Sequence, residues 1–216
     1  WGGVFMATTA AGDHRLSTRQ MAEFVANGFL RFDAIVPADI NERAIDEIGQ
    51  LNAERLLPDG MKPPHSRTPL DDCYPLPSVV GEYLRLPQIR GIIHSLVGAD
   101  PVFDHDWVHH IPGGGSYVQP LHVDAATDST DPTFDVQLFW YPSAVARGEG
   151  GTRFVPGSHL TRVRSSGLHR YQHIVGEQQV ACDAGSVFVF HHGQCFNSVL
   201  SSVGIFSVGT GAVIIA

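Results

Sequence analysis

The spacing of apolar residues changes period once along this chain, near residue 102, and that change restricts the fold more than any other feature. Upstream the spacing is helical. Ser17, followed three residues later by Gln20, forms a capping box. Met21, Phe24 and Val25 supply an apolar stripe that Gly28 stops. Phe29 to Phe32 reads as a short strand. Asp39 to Leu56 reads as a second helix, with Ile40, Ala44, Ile45, Ile48 and Leu51 on one face. Two more helices, Ser78 to Leu84 and Gln88 to Leu96, are separated at Pro87 and closed by Gly98. Between the second and third helices, residues 57–77 carry six prolines without periodicity, which predicts a long loop near a functional surface. Downstream the pattern alternates. Short strands are expected at 102–110, 116–124, 134–141, 151–155, 171–174, 178–181, 186–190 and 196–215, separated by glycine- and proline-rich turns. Helices followed by short strands predict an α+β chain. We expect one domain over 1–216, mainly helical over 17–98, with a jelly-roll barrel over 102–216 on which the helices pack.

Composition narrows the class of partner. Apolar residues make up 43% and charged residues 17%, as in a globular chain. The formal charge of −8, with one lysine (Lys62), argues against nucleic acid. Cys73, Cys182 and Cys195 lack a CxxC pair, so reduced thiols are expected rather than a disulfide framework or zinc knuckle. No secretory signal and no membrane anchor is visible, and cytoplasm is the expected location. The chain opens on Trp1-Gly2-Gly3-Val4-Phe5 ahead of Met6, so either Met6 is the natural start or the chain is a fragment.

Chemistry concentrates in the β half. In Leu121-His122-Val123-Asp124, strand alternation turns His122 and Asp124 to one side and Val123 to the other. An imidazole and a carboxylate so placed are two members of the 2-His-1-carboxylate triad that holds Fe(II) with open positions. An isolated His-x-Asp on an exposed strand has no such meaning, so context decides. Two segments provide it: Gly150-Gly151-Thr152-Arg153-Phe154-Val155-Pro156-Gly157-Ser158-His159, and Ala184-Gly185-Ser186-Val187-Phe188-Val189-Phe190-His191-His192-Gly193. With the first helix and its Asn27-Gly28-Phe29-Leu30 exit, these resemble the phytanoyl-CoA dioxygenase family over about residues 17 to 193.

The resemblance implies a double-stranded β-helix and an Fe(II)- and 2-oxoglutarate-dependent dioxygenase hydroxylating a small molecule. His122 and Asp124 would be iron ligands. Asp124 points to hydroxylation, since family halogenases carry a small residue there. The family's third ligand is a histidine further along, and an arginine on the next strand grips the distal carboxylate of 2-oxoglutarate. This chain departs from both. By register Phe196 falls near the ligand position, and no Arg or Lys follows Arg170. His192 is the remaining candidate for the third ligand, if the turn that carries it is remodelled. Gln137, Phe139 and Thr152 are candidates to line the cosubstrate site. Asp135, Gln137, Phe139 and Tyr141 share a face of their strand, which lines the barrel or faces outward. Arg153 is read as a salt-bridge partner and His159 as a surface or turn-stabilising group. His105 and His109 are placed on the face of Phe103, Trp107 and Ile111, with His110 opposite.

Two further readings stand beside the dioxygenase. One is a catalytically impaired family member that retains only the fold; the other is a cupin-like metal isomerase or carbohydrate-binding jelly roll. No acidic residue follows Asp183, and this uncharged tail reads as a shifted reading frame or an altered C-terminus. The sequence names neither a substrate nor an oligomeric state.

Overall fold

A computed structural model of the chain describes residues 14–50, 67–111, 120–123, 135–160, 174–200 and 207–215, except 75, 77 and 149. Ser17 opens the first helix as expected. Its hydroxyl accepts from the Gln20 N–H at 3.3 Å, and the Gln20 side chain accepts from the Ser17 N–H at 2.9 Å. The helix α1, Thr18–Asn27, ends at Gly28 with φ 76°, whose N–H bonds the Phe24 carbonyl. Val25 departs from expectation, being 64% exposed. Gln20 and Phe24 stand one turn apart on the buried face, and Val25 is rotated one position away from it.

After β1, Phe29–Phe32, comes α2, Ala38–Gln50; the expected extension to Leu56 lies outside the described residues. Ile40, Asn41 and Ala44 are buried, but Ile45 is 39% exposed, at the margin of that face. The expected loop 57–77 is corrected in its second half. There β2, Thr68–Pro69, pairs with the sheet, and the single turn α3, Leu70–Cys73, buries Leu70 and Cys73. That order comes from pairing at a distant sheet edge, where proline is tolerated, and local periodicity does not register it. The helices α4, Val79–Arg85, and α5, Pro87–Val97, follow; Ser78 caps the first and Pro87 sits in the first turn of the second.

The strands are β3 (Val102–Ile111), β4 (His122–Val123), β5 (Asp135–Tyr141), β6 (Gly150–Phe154), β7 (Gln178–Gln179), β8 (Ser186–His191), β9 (Cys195–Leu200) and β10 (Ser207–Ile215). They form two sheets, ordered β1-β8-β5-β10-β3-β2 and β4-β9-β6-β7. Every pairing among the described strands is antiparallel. The expected strand 196–215 is two strands, β9 and β10, in different sheets. The expected 116–124 is described only as β4, and 178–181 shortens to β7. Most of 171–174 lies outside the described residues; Ile174 is not in a strand.

Alternation along β5 and β8 builds two cores. Val136, Leu138, Trp140, Val187 and Val189 pack under the helices. Phe139, Tyr141, Phe188 and Phe190 pack from the other face onto Phe154 of the second sheet. Trp140 stacks on Tyr83 of α4 with centroids 4.5 Å apart, and its Nε1 donates to Asn41 Oδ1 at 2.8 Å.

The parity expected along β3 is also corrected. Ile214 pairs with Phe103 but Ala212 pairs with Asp106, so β3 carries one extra residue there. Phe103 therefore lies on the helix-packed face, opposite the register positions of Trp107 and His109. Alternation counted through a bulge assigns residues beyond it to the wrong side. The three cysteines are buried, and none of them is in a disulfide. Among the described residues no helix is long and apolar enough to cross a membrane.

Candidate metal centre

The edge strand β4 is held by its flanks. Leu121 is buried with Cys195, and half-buried Val123, Val155 and Ile174 pack against that pair. Leu121 and Val123 point to that cluster, so His122 between them turns to the other face. There His122 pairs with Phe196 of β9, and Phe196 in turn pairs with Phe154 of β6. Cross-strand partners project from the same face of a sheet. The His122 face is therefore the Phe154 face, the one that packs on the first sheet.

The His122 ring is half-buried, with Nδ1 2.9 Å from the Pro120 carbonyl. A carbonyl only accepts, so Nδ1 donates in this contact, and in the neutral ring the lone pair is then on Nε2. That is the tautomer of a histidine ligand whose second nitrogen is oriented by a backbone carbonyl. Asp124, the expected carboxylate, lies outside the described residues.

The expected cosubstrate residues do face the interior between the sheets. Gln137 is fully buried, pairing with Phe190 of β8 and Val213 of β10. Phe139 packs edge-on against Phe190 at 5.1 Å. Thr152 Oγ1 accepts from the Tyr141 hydroxyl at 3.1 Å, joining the two sheets. Burial pushes the Tyr141 phenol well above its ordinary range, so it stays a neutral donor. The outward-facing alternative for this β5 face is excluded.

His192 occupies the turn after β8. Its N–H donates to the Asp135 carbonyl at 3.1 Å, and its Nδ1 lies 3.2 Å from Asp135 Oδ2. Its Nε2 is buried and has no hydrogen-bond partner among the described residues. His192 is thus tied to the end of β5, four residues before the position paired with His122. Asp135 was expected on this face, but nothing in its spacing foretold its histidine partner.

The remaining candidates have structural roles. Arg153 Nη1 meets Glu177 Oε1 at 2.7 Å, as a salt-bridge partner should. His159 Nε2 donates to the Val25 carbonyl at 3.0 Å and the Gly157 N–H to the Asn27 carbonyl at 2.7 Å. The turn therefore holds the C-terminal end of α1, the stabilising role expected of His159. His191 lies beside it, ring centroids 5.0 Å apart, with its Nδ1 accepting from the Gly193 N–H. Burial, and then the charges of His159 and His192, lower its pKa to about 4. The side chains of His105, His109 and His110 lie outside the described set. Among the described residues no three His, Cys, Asp or Glu side chains form a metal-binding group.

A model of the phytanoyl-CoA dioxygenase family matches residues 24–197. Solved structures share the fold. EctD from S. alaskensis, in its apo form, superposes with TM-score 0.72 at 16% identity, covering 97% of this chain and 80% of that one. HygX from Streptomyces hygroscopicus, with nickel and 2-oxoglutarate bound, gives 0.69 at 14% identity, covering 93% and 87%. The nickel complex of ThoJ, a non-heme monooxygenase, gives 0.68 at 17%, covering 90% and 76%. HygX has also been crystallised with hygromycin B, and EctD with 2-oxoglutarate and 5-hydroxyectoine. No curated protein matches the sequence.

Proposed function

Because the chain belongs to the phytanoyl-CoA dioxygenase family, we propose that it carries that family's iron site at His122 and acts, as an Fe(II)- and 2-oxoglutarate-dependent oxygenase, on a small molecule. The observation that carries this reading is the His122 ring. It stands on the interior face with Nδ1 held by the Pro120 carbonyl, which leaves Nε2 as the nitrogen to meet a metal. The alternation of strands between the sheets supports a double-stranded β-helix in a single domain: β3, β5, β8 and β10 lie in one sheet, and β4, β6, β7 and β9 in the other. The bound ligands of HygX and EctD support a small-molecule substrate.

The donor chemistry fits iron at His122 and, by residue type, at Asp124. Iron held there supplies the redox chemistry by which oxygen is activated for attack on a C–H bond. This chain's residues fix the imidazole, through Pro120, and wall the interior with the aromatic cluster of Phe139, Phe154, Phe188 and Phe190, which excludes water. The family's grip on 2-oxoglutarate does not fit. The β10 residues paired with Phe139 and Gln137 are Gly211 and Val213, and no Arg or Lys follows Arg170. No step through 2-oxoglutarate is therefore derived from these residues.

That mismatch, with Phe196 opposite His122, favours a second reading: a family member that binds metal weakly and has lost turnover. The test is anaerobic Fe(II) binding together with succinate release from 2-oxoglutarate, in the full chain and in His122→Ala. Iron binding that His122→Ala abolishes, with succinate above that variant's level, supports the oxygenase. Iron binding without succinate supports the impaired member, and iron binding indifferent to His122 overturns both.

A further inference from the structure

We infer that His192, held by Asp135, recognises the substrate: its Nε2 accepts a hydrogen bond from a hydroxyl or ammonium group of the small molecule. The inference rests on the reading of His122 as an iron ligand and adds to it the chemical class of the substrate.

Asp135 shares its face of β5 with Phe139 and Tyr141, which pack towards Phe154 of the second sheet. His192 follows β8 directly, and the turn 192–194 leads into β9, where Phe196 pairs with His122. The Asp135–His192 pair and His122 therefore stand at the same end of the two-sheet interior. Two ties fix the His192 ring. Its backbone N–H donates to the Asp135 carbonyl at 3.1 Å, and its Nδ1 lies 3.2 Å from Asp135 Oδ2. A carboxylate only accepts, so Nδ1 donates, and in the neutral ring Nε2 keeps the lone pair. His192 is 8% exposed. Its Nε2 and Asp135 Oδ1 are both buried, and neither has a hydrogen-bond partner among the described residues. A polar atom buried unpaired loses its hydration with no return. An imidazole oriented by two bonds and left with one open acceptor is thus arranged to receive a donor. Both open atoms accept, so the ligand that fits brings an O–H or an ammonium N–H, and an anion is repelled. The formal charge of −8 works in the same direction.

The test is NMR on the full chain with isotopically labelled histidine, in which the His192 Nε2 resonance reports the lone pair and any donor that meets it. Ethanolamine and ethylene glycol are added as donors and propionate as the anion. The two donors are expected to move that resonance, and propionate to leave it in place. His192→Phe weakens ethanolamine by about tenfold, the worth of one hydrogen bond from a charged donor. His192→Gln, which returns an acceptor, recovers part of the loss. Asp135 is the positioning residue: Asp135→Asn lets the ring take either tautomer, so the signal of a protonated Nε2 appears beside the first. Should a variant fail to fold, the resonance in the parent chain decides. A resonance that no donor moves overturns the inference, as does one moved by propionate alone or an ethanolamine affinity unchanged in His192→Phe. Co(II) bound at His122 then relaxes the protons of bound ethylene glycol in the parent, but in neither His122→Ala nor His192→Phe. Relaxation that survives His192→Phe overturns the substrate role, and so does Co(II) binding that His192→Phe abolishes. Co(II) binding indifferent to both histidines overturns the iron-site reading alone, with the donor site at His192 intact.

Discussion

Asn41 shows what a single residue contributes that no local pattern foretells. It lies on the buried face of α2, accepting from Trp140 Nε1 at 2.8 Å and donating to the Val36 carbonyl at 3.1 Å. Helical spacing marked its neighbours Ile40 and Ala44 as inward. The amide was passed over because its partner is ninety-nine residues away. Asn41→Ala leaves a buried indole N–H unpaired and should cost about 1–3 kcal/mol of stability, read from the urea midpoint. An unchanged midpoint contradicts the bond's role. His191 makes a second prediction at this scale. Its folded pKa, about 4, lies below the ordinary 6.5. The unfolded chain therefore takes up this proton first as pH falls. The stability tied to a neutral His191 is full above pH 6.5 and is lost as the pH drops towards 4. In His191→Gln that part of the acid sensitivity disappears, so the difference in denaturation midpoint between parent and variant shrinks from pH 7 to pH 5. A difference that widens contradicts the sign. His122 was legible for the opposite reason: alternation within four residues decides its face, and the Leu121 and Val123 contacts agree.

At the scale of elements, boundaries drawn from local chemistry hold and those set by distant pairing do not. The capping box of α1, the Gly28 stop and Pro87 at the start of α5 each depend on neighbours a few residues away, and each was legible. The pairing of β2 with β3, the extra residue in β3 and the division between β9 and β10 depend on partners far along the chain, which periodicity cannot register. Gly28 connects the two kinds. Besides its φ of 76°, a Cβ there would come 2.2 Å from Gln194 Oε1 and 2.3 Å from His159 Nδ1. The close approach of α1, the turn at 155–159 and the end of β8 thus requires glycine. Gly28→Ala should lower the melting temperature by more than the loss of an ordinary C-cap glycine, which is about 1 kcal/mol. Gly98 also has positive φ but nothing within 4 Å of its Cβ position, and serves as the control. Equal losses at the two glycines contradict the packing argument.

For the whole molecule, the sheets place His122 at the edge of a two-sheet interior that Phe139, Phe154, Phe188 and Phe190 help to wall. The family was legible in the sequence because its motifs, His-x-Asp and Val-Pro-Gly-Ser-His, are short and local. Of the two donors that the resemblance implies, the structure describes His122, and Asp124 lies outside the described residues. By the resemblance, Phe196 and the uncharged stretch after Asp183 stand near where the family carries its third ligand and its arginine, and an apolar side chain leaves no positive signal to read. The β4–β9 register pairs position 196 with His122. The account's central claim is that metal binds at His122 with no second imidazole. X-ray absorption on the full chain loaded with Co(II) counts imidazole ligands directly. The account predicts one imidazole, absent in His122→Ala, with oxygen donors making up the remaining coordination. Two imidazoles in the parent chain, or one that survives His122→Ala, would contradict it.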